Sequence, residues 1–451
     1  MAGAAKPMHY AGRTGDLLGD AARHQPRARA LYVHTPFCDT ICNFCPLVKG
    51  PLAGERAALD IYVDSLLREI ALKAKDAELT RLPVRAIFFG GGTPSLLEPE
   101  HIARIGAALR DAFDLTAVEE FSVEMEVKSI TPEKSAAFRA IGVTHARFGA
   151  QTFNAEQRAR LNLTATTDQL VWAAAHLKGI FPHVSCDILY GLHGQSGEEL
   201  AADLDAAAAL GLDNLDIYPL NIFVVQKKLH RIYRAAALPP LAGRTKLYMM
   251  QAVRAMMRAK GYLPHNGHGF VKVARSEIDA DPVVTRSYAF RYHQHVYGPD
   301  EDEFIGLGNS ALSYIAGVSI ANTQSRERYV AALSQGAPVP VQVTHHSPAV
   351  NAAKIVAIGL PYLGAVPLAR VRWSELPADT ADLIEELIDH GLVERTAFEL
   401  RLTHEGWLWY VNIMYYLAPR EERAALAGLI MRDAAGPYLP APLIEQLTAA
   451  T

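Results

Sequence analysis

Three of the four cysteines lie close together in the chain, as Cys38, Cys42 and Cys45. Three thiolates at this C-x3-C-x2-C spacing can each bind one iron of a 4Fe–4S cluster, so that the fourth iron stays open to a small molecule. A structural zinc site requires four ligands, and the remaining cysteine, Cys186, is distant in sequence and is predicted to be a buried core residue. We therefore predict an iron–sulfur cluster, with a zinc site or a chance arrangement as the alternatives.

A glycine-rich turn follows a predicted strand and consists of Gly90, Gly91, Gly92 and Thr93. Glycines leave backbone N–H and C=O groups accessible and allow positive φ. The turn lacks the lysine and the spacing of a phosphate-binding loop. Because it follows the cysteine motif, we interpret it as a turn whose backbone groups bind the amino group of a methionine moiety in the small molecule at the open iron. The alternative is a simple tight turn.

Polar side chains end the next strands of the pattern, as Glu124, Gln151 and Asp187. A carboxylate at the end of a strand suits the ammonium or ribose hydroxyl groups of a ligand. A buried Asp within an apolar strand is costly without a partner, which a ribose diol would provide. The alternatives are a solvated strand end for Glu124 and a structural hydrogen bond for Asp187.

Apolar runs alternate with helical patterns between residues 31 and 220. Such alternation predicts parallel strands with right-handed crossovers. Six units make a partial (β/α)6 TIM-like barrel of the α/β class, whose functional residues lie at the C-terminal ends of the strands. Residues 1–30 are predicted to be an irregular lead-in, 221–340 an extension of the barrel, and 341–451 an α+β winged-helix-like domain.

The bulk composition excludes several classes of protein. The chain has 451 residues, half of them hydrophobic, and a net charge of −4. This charge balance does not resemble a nucleic-acid footprint, and we expect neither a membrane span nor a secretory signal. Few, clustered cysteines fit a reducing cytoplasm. A cytoplasmic monomer that acts on a small molecule is predicted.

Beyond these local signals, the chain resembles the radical S-adenosylmethionine (SAM) enzymes of the oxygen-independent coproporphyrinogen III oxidase family. The resemblance covers about residues 30–435 and rests on the motifs at 32–45, 90–94, 124, 149–153, 187–192, 306–311 and 394–407. It implies that the three cysteines hold the cluster, whose open iron chelates SAM. Reductive cleavage of SAM then gives a 5′-deoxyadenosyl radical, with electrons from an external donor such as flavodoxin or ferredoxin.

The resemblance also implies roles for the other motif residues. Tyr32 and the glycine-rich turn would line the cluster site, while Glu124, Gln151 and Asp187 would bind polar parts of SAM. Members of the family can bind a second SAM. The positions assigned to this second molecule are Phe44, Gly306, Gly308 and Asn309.

The chain departs from the coproporphyrinogen enzymes at three points. Pro46 and Leu47 follow Cys45, so that an additional cysteine of the family is absent, and only about 30 residues precede the first strand, where the oxidases have a longer segment. Leu163 occupies the place of an expected SAM-carboxylate arginine, for which Arg147, Arg158 and Arg160 are the candidate replacements. These departures argue against authentic coproporphyrinogen decarboxylation.

The same scaffold resembles the class C radical SAM methyltransferases and cyclopropanases. We expect methyl or methylene transfer from a second SAM to an sp2 carbon of an aromatic or heteroaromatic metabolite. The alternatives are porphyrin or haem chemistry, including opening of haem with a SAM-derived methyl group, and a haem chaperone. A histidine-rich stretch supplies candidate catalytic bases, since histidine titrates near neutral pH: His265, His268, His293 and His295.

Overall fold

A computed structural model describes residues 8–10, 26–45, 50–52, 56–220, 227–297 and 303–434. Its strands are β1 (Met8–Tyr10), β2 (Arg29–Thr35), β3 (Phe37–Cys38), β4 (Gly50–Pro51), β5 (Val84–Gly91), β6 (Glu120–Met125), β7 (His145–Gln151), β8 (His183–Tyr190), β9 (Asn214–Pro219), β10 (Tyr262–Pro264), β11 (Gly269–Lys272), β12 (Glu303–Leu307), β13 (Leu312–Ile315), β14 (Val318–Asn322), β15 (Val341–His345), β16 (Ala365–Pro367), β17 (Val393–Arg395) and β18 (Glu399–Leu402).

The helices alternate with the strands in the first half of the chain and dominate its end. They are α1 (Arg56–Lys73), α2 (Ala77–Thr80), α3 (Pro99–Ala112), α4 (Pro132–Ala140), α5 (Ala155–Leu161), α6 (Thr167–Lys178), α7 (Gly197–Ala209), α8 (Lys227–Ala235), α9 (Gly243–Ala259), α10 (Arg275–Ala280), α11 (Tyr292–Tyr297), α12 (Arg326–Ser334), α13 (Pro348–Lys354), α14 (Leu360–Leu363), α15 (Ala378–Asp389), α16 (His404–Leu408), α17 (Tyr410–Tyr416) and α18 (Arg420–Ala434).

Side-chain caps fix where the barrel helices begin. Thr131 accepts a hydrogen bond from the Lys134 amide, directly before the proline that opens α4. Ser196 caps α7 in a reciprocal capping box with Glu199. Such caps satisfy amide donors that have no partner within the helix, so the strand-to-helix junctions of the barrel are encoded locally.

Six parallel strands form the curved centre of the sheet, in the order β2-β5-β6-β7-β8-β9. This is the α/β partial barrel predicted from the sequence. Residues of alternate positions, such as Val123, Phe148 and Cys186, pack in the hydrophobic core beneath the helices. The predicted burial of Cys186 is confirmed, since its side chain has no exposed surface.

The opposite face of these strands is polar where it lines the barrel interior. Barrel interiors are more often filled by branched apolar residues. Here β7 contributes Arg147, which donates to Asp216 of β9 at 2.9 Å, and Asp216 also accepts from Ser185 of β8 at 2.8 Å. A charged network therefore fills the middle of the barrel.

The sheet extends beyond the barrel on both sides. Strand β12 pairs in parallel with β2, and β13, β14 and β15 follow as an antiparallel meander. Met8–Tyr10 pairs with β15, so the segment predicted to be an irregular lead-in contains a strand. On the other side, β11 pairs antiparallel with β9. Within the described residues these strands form one thirteen-stranded sheet.

The C-terminal part contains a small antiparallel sheet of β16, β18 and β17 between helices. The sequence pattern of residues 379–416 predicts a helix–strand–turn–strand–helix order, which the structure has as α15, β17, β18 and α16. The pattern predicts one helix over 405–416, but the helix breaks at Trp409 into α16 and α17. No helix within the described ranges has the length and apolar character needed to cross a membrane.

Candidate functional site

A cavity of about 250 Å³ opens at the C-terminal ends of the parallel strands. The residues around it come from the loop after β2, from β5, β6, β7 and β8 and the turns after β5 and β6, and from α5 and the residues that follow it. They include Cys38, Cys42, Phe44, Cys45, Gly91, Gly92, Thr93, Glu124, Arg147, Gln151, Arg158, Leu163 and Asp187. Most residues that the sequence assigned to the first SAM and its cluster therefore share one cavity.

None of the three clustered cysteines forms a disulfide with another described residue. The Thr93 hydroxyl lies 3.5 Å from Cys38 Sγ, and the Cys45 amide donates to the Cys42 carbonyl at 3.4 Å. Among the described residues, no three His, Cys, Asp or Glu side chains converge on a point that would hold one metal ion. A 4Fe–4S cluster does not require such convergence, because each thiolate binds a different iron.

The end of α5 holds the cysteine loop against the barrel. The Asn43 amide donates to the Leu161 carbonyl at 2.9 Å, and its side chain donates to the Arg160 carbonyl at 2.7 Å. Asn162 is left-handed, with φ of 58°, and its side chain donates to the Ile41 carbonyl at 2.9 Å. The segment between Cys42 and Cys45 is thus fixed from a distant part of the sequence.

The glycine-rich turn lies where β5 meets the cysteine loop. Gly91 has φ of +108°, and a Cβ there would lie 2.5 Å from the His34 ring. A Cβ on Gly92 would lie 2.4 Å from the Phe37 carbonyl oxygen. The Gly92 amide donates to the Thr35 carbonyl at 2.6 Å. Close backbone packing requires these glycines, whichever ligand the turn contacts.

Two partly buried carboxyl groups belong to the cavity wall. Burial raises the pKa of Glu124 to about 7, although Arg147 and the Gly91 amide oppose this shift. Burial also raises the pKa of Asp187, and the neighbouring charges of Asp216 and Glu124 add to the effect. Both groups would be stabilised in their charged form by a cationic ligand.

Gln151 and Tyr32 differ in how close they come to the cavity. Gln151 lines the cavity. It has φ of 67° and lies where the pairing of β7 with β8 is irregular. Tyr32 lies beside His34, and its hydroxyl is 3.0 Å from His34 Nδ1. Its ring stacks on Phe88 at 6.3 Å. Tyr32 therefore supports the end of β2 from inside the barrel.

The four candidate catalytic histidines do not form one group. His268 stacks on Tyr218 at 4.0 Å and lies 3.9 Å from Asp216, and His293 packs against His268 at 5.5 Å. His265 bonds Asn214 at 2.8 Å. His295 is 3.8 Å from Glu119. None of the four belongs to the lining of the cavity, so their catalytic role stays a prediction.

Burial keeps three of these histidines, His265, His268 and His293, neutral at pH 7. It lowers the pKa of His268 and of His265 to about 4, against the opposing charge of Asp216. It lowers the pKa of His293 to about 3, with further contributions from His268 and Arg147. Neutral imidazoles can accept protons, but these three have little tendency to hold one at pH 7.

Three of the four residues assigned to a second SAM are outside the lining of this cavity. Of the four assigned residues, Phe44 belongs to the cavity lining, whereas Gly306, Gly308 and Asn309 do not. The Gly308 amide donates to buried Glu69 at 2.7 Å, and a Cβ on Gly308 would lie 2.4 Å from the Tyr62 hydroxyl. These contacts give the loop a packing role.

The polar interior of the barrel was not predicted from the sequence. Burial alone would raise the pKa of Asp216, but Arg147 above all, and then His268, hold it below its usual value. Burial opposes the charge of Arg147, yet Asp216 and Glu120 raise its pKa above the usual range. The sequence signal that could have predicted this interior is the alternation of polar residues along β9, at Asn214, Asp216 and Tyr218.

Comparison with known proteins shows which proteins the chain is similar to. Residues 32–207 match the model of the Radical SAM superfamily. The chain is 27% identical over 400 residues to anaerobilin synthase of Escherichia coli O157:H7, covering 87% of this chain and 84% of the relative. It is 28% identical over 318 residues to oxygen-independent coproporphyrinogen III oxidase of Escherichia coli K12, covering 69% and 67%.

The fold is also that of a solved radical SAM enzyme. The structure of coproporphyrinogen III oxidase from Escherichia coli superposes with a TM-score of 0.75 and 24% sequence identity, covering 90% of this chain and 94% of that chain. The α/β radical SAM fold is thereby established. The family implies a 4Fe–4S cluster and SAM, and the three thiols, the glycine-rich turn and the partly buried carboxyl groups of the cavity fit both.

Proposed function

We propose that this chain, whose residues 32–207 form a radical SAM domain, is an enzyme that cleaves SAM reductively and acts on a tetrapyrrole. The observation that carries the proposal is the single cavity that collects the three cysteines, the glycine-rich turn, Glu124 and Asp187. When bound, the cluster and SAM supply the radical chemistry. The protein positions them and shields them from water.

The tetrapyrrole is supported by the names of the relatives. One relative is named for the synthesis of a bilin, an open-chain tetrapyrrole, and another for the oxidation of coproporphyrinogen III. Neither name supports methyl or methylene transfer to an aromatic metabolite, although the sequence predicts that reaction. The porphyrin or haem alternative takes its place, and a second SAM molecule remains without support.

Among tetrapyrroles we propose haem before coproporphyrinogen. The absence of an additional cysteine after Cys45 is the departure that sets the chain apart from the coproporphyrinogen enzymes. The extent of the matches does not decide between them, since relatives named for a bilin and for coproporphyrinogen III match 87% and 88% of this chain. A flavodoxin or ferredoxin is the proposed electron donor, and we expect a monomer.

The decisive experiment offers the anaerobically reconstituted protein SAM and dithionite with haem, with coproporphyrinogen III or with neither. We expect 5′-deoxyadenosine together with loss of the haem absorbance band and release of an open-chain product. Release of CO2 from coproporphyrinogen III would assign decarboxylation. Tight haem binding without deoxyadenosine would instead assign haem carriage and contradict the proposal. A SAM with a deuterated methyl group reports whether that methyl enters the product.

The binding of SAM should depend on pH through Glu124. An acid whose pKa is raised to about 7 by burial is largely protonated below pH 7, and only its ionised form attracts the positive charge of SAM. We expect SAM affinity to increase several-fold, at most about tenfold, from pH 6 to pH 8. Equilibrium dialysis measures the affinity, and Glu124→Gln should bind SAM weakly with a flatter pH profile. An unchanged profile in this variant would contradict the role of Glu124.

The same pKa shift affects the stability of the protein without SAM. Because the pKa of Glu124 is higher in the folded state than in the unfolded state, the folded protein binds the proton more tightly. The contribution to stability is present below the unfolded pKa and is lost as the pH rises through about 7. SAM should therefore stabilise the protein against heat more strongly at pH 8 than at pH 6.

A further inference from the structure

Arg158 is a buried arginine on the wall of the cavity. Its Nη1 donates to the carbonyls of Ala150 at 2.9 Å and Thr152 at 2.7 Å, and its Nη2 donates to the carbonyl of Ala165. An arginine has five N–H donors. Two of them, including Nε–H, make no hydrogen bond within the described part of the chain.

The charge of Arg158 has no ion-pair partner within the described ranges. Asp203, the carboxylate that acts most strongly on it, makes no ion pair with it. Instead, Asp203 accepts from the Thr152 hydroxyl and the Phe153 amide, both at 2.7 Å. Burial lowers the pKa of Arg158, as expected for a cation that lacks compensation. A buried guanidinium of this kind is normally paired with an anion.

The other two candidate arginines already have carboxylate partners. Arg147 is 2.9 Å from Asp216 and 3.6 Å from Glu120. Arg160 pairs with the exposed Glu156 on the surface of α5. Of the three, Arg158 alone offers an uncompensated charge to the cavity.

The cavity walls complement an amino acid group. The carboxyl groups of Glu124 and Asp187 suit an ammonium or sulfonium, and Arg158 suits a carboxylate, which arginine binds with two parallel hydrogen bonds. Leu163, which also lines the cavity, can supply no such bond.

We propose that Arg158 binds the α-carboxylate of SAM through its two remaining N–H groups. It would supply the positive charge that is expected at position 163, where this chain has a leucine. The inference rests on SAM as the ligand within the proposed function, but it does not depend on the tetrapyrrole.

The test compares SAM with decarboxylated SAM, which lacks the carboxylate, in the cluster-loaded protein without any tetrapyrrole. Binding is followed by equilibrium dialysis and by the change in the electron paramagnetic resonance spectrum of the reduced cluster. We expect Arg158→Gln to weaken SAM binding by about 10- to 100-fold. The same variant should change the binding of decarboxylated SAM by less than about threefold.

Two further variants separate charge from structure. Arg158→Gln/Leu163→Arg restores a cation on the same wall and should recover most of the SAM affinity, whereas Arg158→Lys should retain part of it. Equal losses for both ligands, or no rescue by Leu163→Arg, would show that Arg158 only anchors the backbone of residues 150–165 and would overturn the inference. Iron content and the spectrum without SAM verify folding, and a failed tetrapyrrole assay leaves these outcomes unaffected.

Discussion

The Cys42→Ser variant is expected to contain almost no 4Fe–4S cluster and to form no 5′-deoxyadenosine above background. Cys42 lies on the wall of the cavity with Cys38 and Cys45, and serine is a poor replacement for a thiolate ligand of iron. Without the cluster, the electron has no route to SAM. Deoxyadenosine formation should fall by at least about three orders of magnitude. Iron content, the absorbance of the cluster and chromatography of deoxyadenosine measure the three consequences.

Cys186→Ala is the matched control for this experiment. Cys186 is fully buried beneath the helices, and its thiol is 3.8 Å from the Asp187 carbonyl, on the far side of β8 from the cavity. Removing one buried sulfur should cost about 1 kcal/mol of stability and leave the cluster intact. If Cys42→Ser retained the cluster, or if Cys186→Ala lost it, the assignment of the ligands would be wrong.

The barrel strands were predictable because each combines a short apolar run with a clear boundary. The pattern at residues 183–189 predicts β8, which spans His183–Tyr190 in the structure. The pattern at 145–148 predicts β7 but ends three residues early. At that end, the positive φ of Gln151 and the irregular pairing with β8 interrupt the alternation that marks a strand. Backbone irregularity therefore hid the part of β7 that reaches the cavity.

The short strands outside the barrel were missed for a different reason. Strands β13 and β14 contain four and five residues, and neither has a long apolar run. Their position depends on pairing with β12 and β15. Met8–Tyr10 is a strand because β15 provides its partner. Long-range pairing of this kind leaves little trace in the local sequence.

The site divides in the same way between local and long-range signals. The cysteine spacing and the glycine-rich turn are local motifs, and the structure brings both to one cavity. The histidines were grouped because they are close in sequence, but His295 and His265 face different partners. The Gly308 amide bonds Glu69 of α1, and the assignment of its loop to a second SAM stays a prediction. These partners come from distant parts of the sequence, so a local motif does not reveal them.

The charged network inside the barrel favours the ionised forms of two carboxyl groups of the cavity wall, Glu124 and Asp187, although neither forms a salt bridge within the described residues. Arg147 lies between the rings of Phe88 and Phe290, at 5.7 Å and 5.0 Å from their centroids. Its charge favours ionisation of both Glu124 and Asp187, against the burial that opposes it. The network thus links the stability of the barrel to the charge of the cavity wall.

Arg147→Met should lower the free energy of unfolding by about 3–5 kcal/mol, because it leaves Asp216 and Glu120 buried without their cation. Both carboxylates are almost fully buried and lie within ion-pair distance of Arg147. Urea denaturation of the protein without its cluster measures the loss. Asp216 would lose the pairing that lowers its pKa. Burial would then raise this pKa above the unfolded value, so the deficit should be larger at pH 8 than at pH 5.

Arg160→Met is the matched control, since Arg160 pairs with the exposed Glu156 and such surface pairs contribute less than about 1 kcal/mol. The double variant Arg147→Met/Asp216→Asn removes both charges of the inner pair. It should be more stable than the sum of the two single losses predicts, because no unpaired carboxylate remains at that position. Equal losses for Arg147→Met and Arg160→Met, or a loss independent of pH, would show that packing rather than charge holds the interior together. The large, pH-dependent loss follows only if the interior ion pair compensates the burial of its charges.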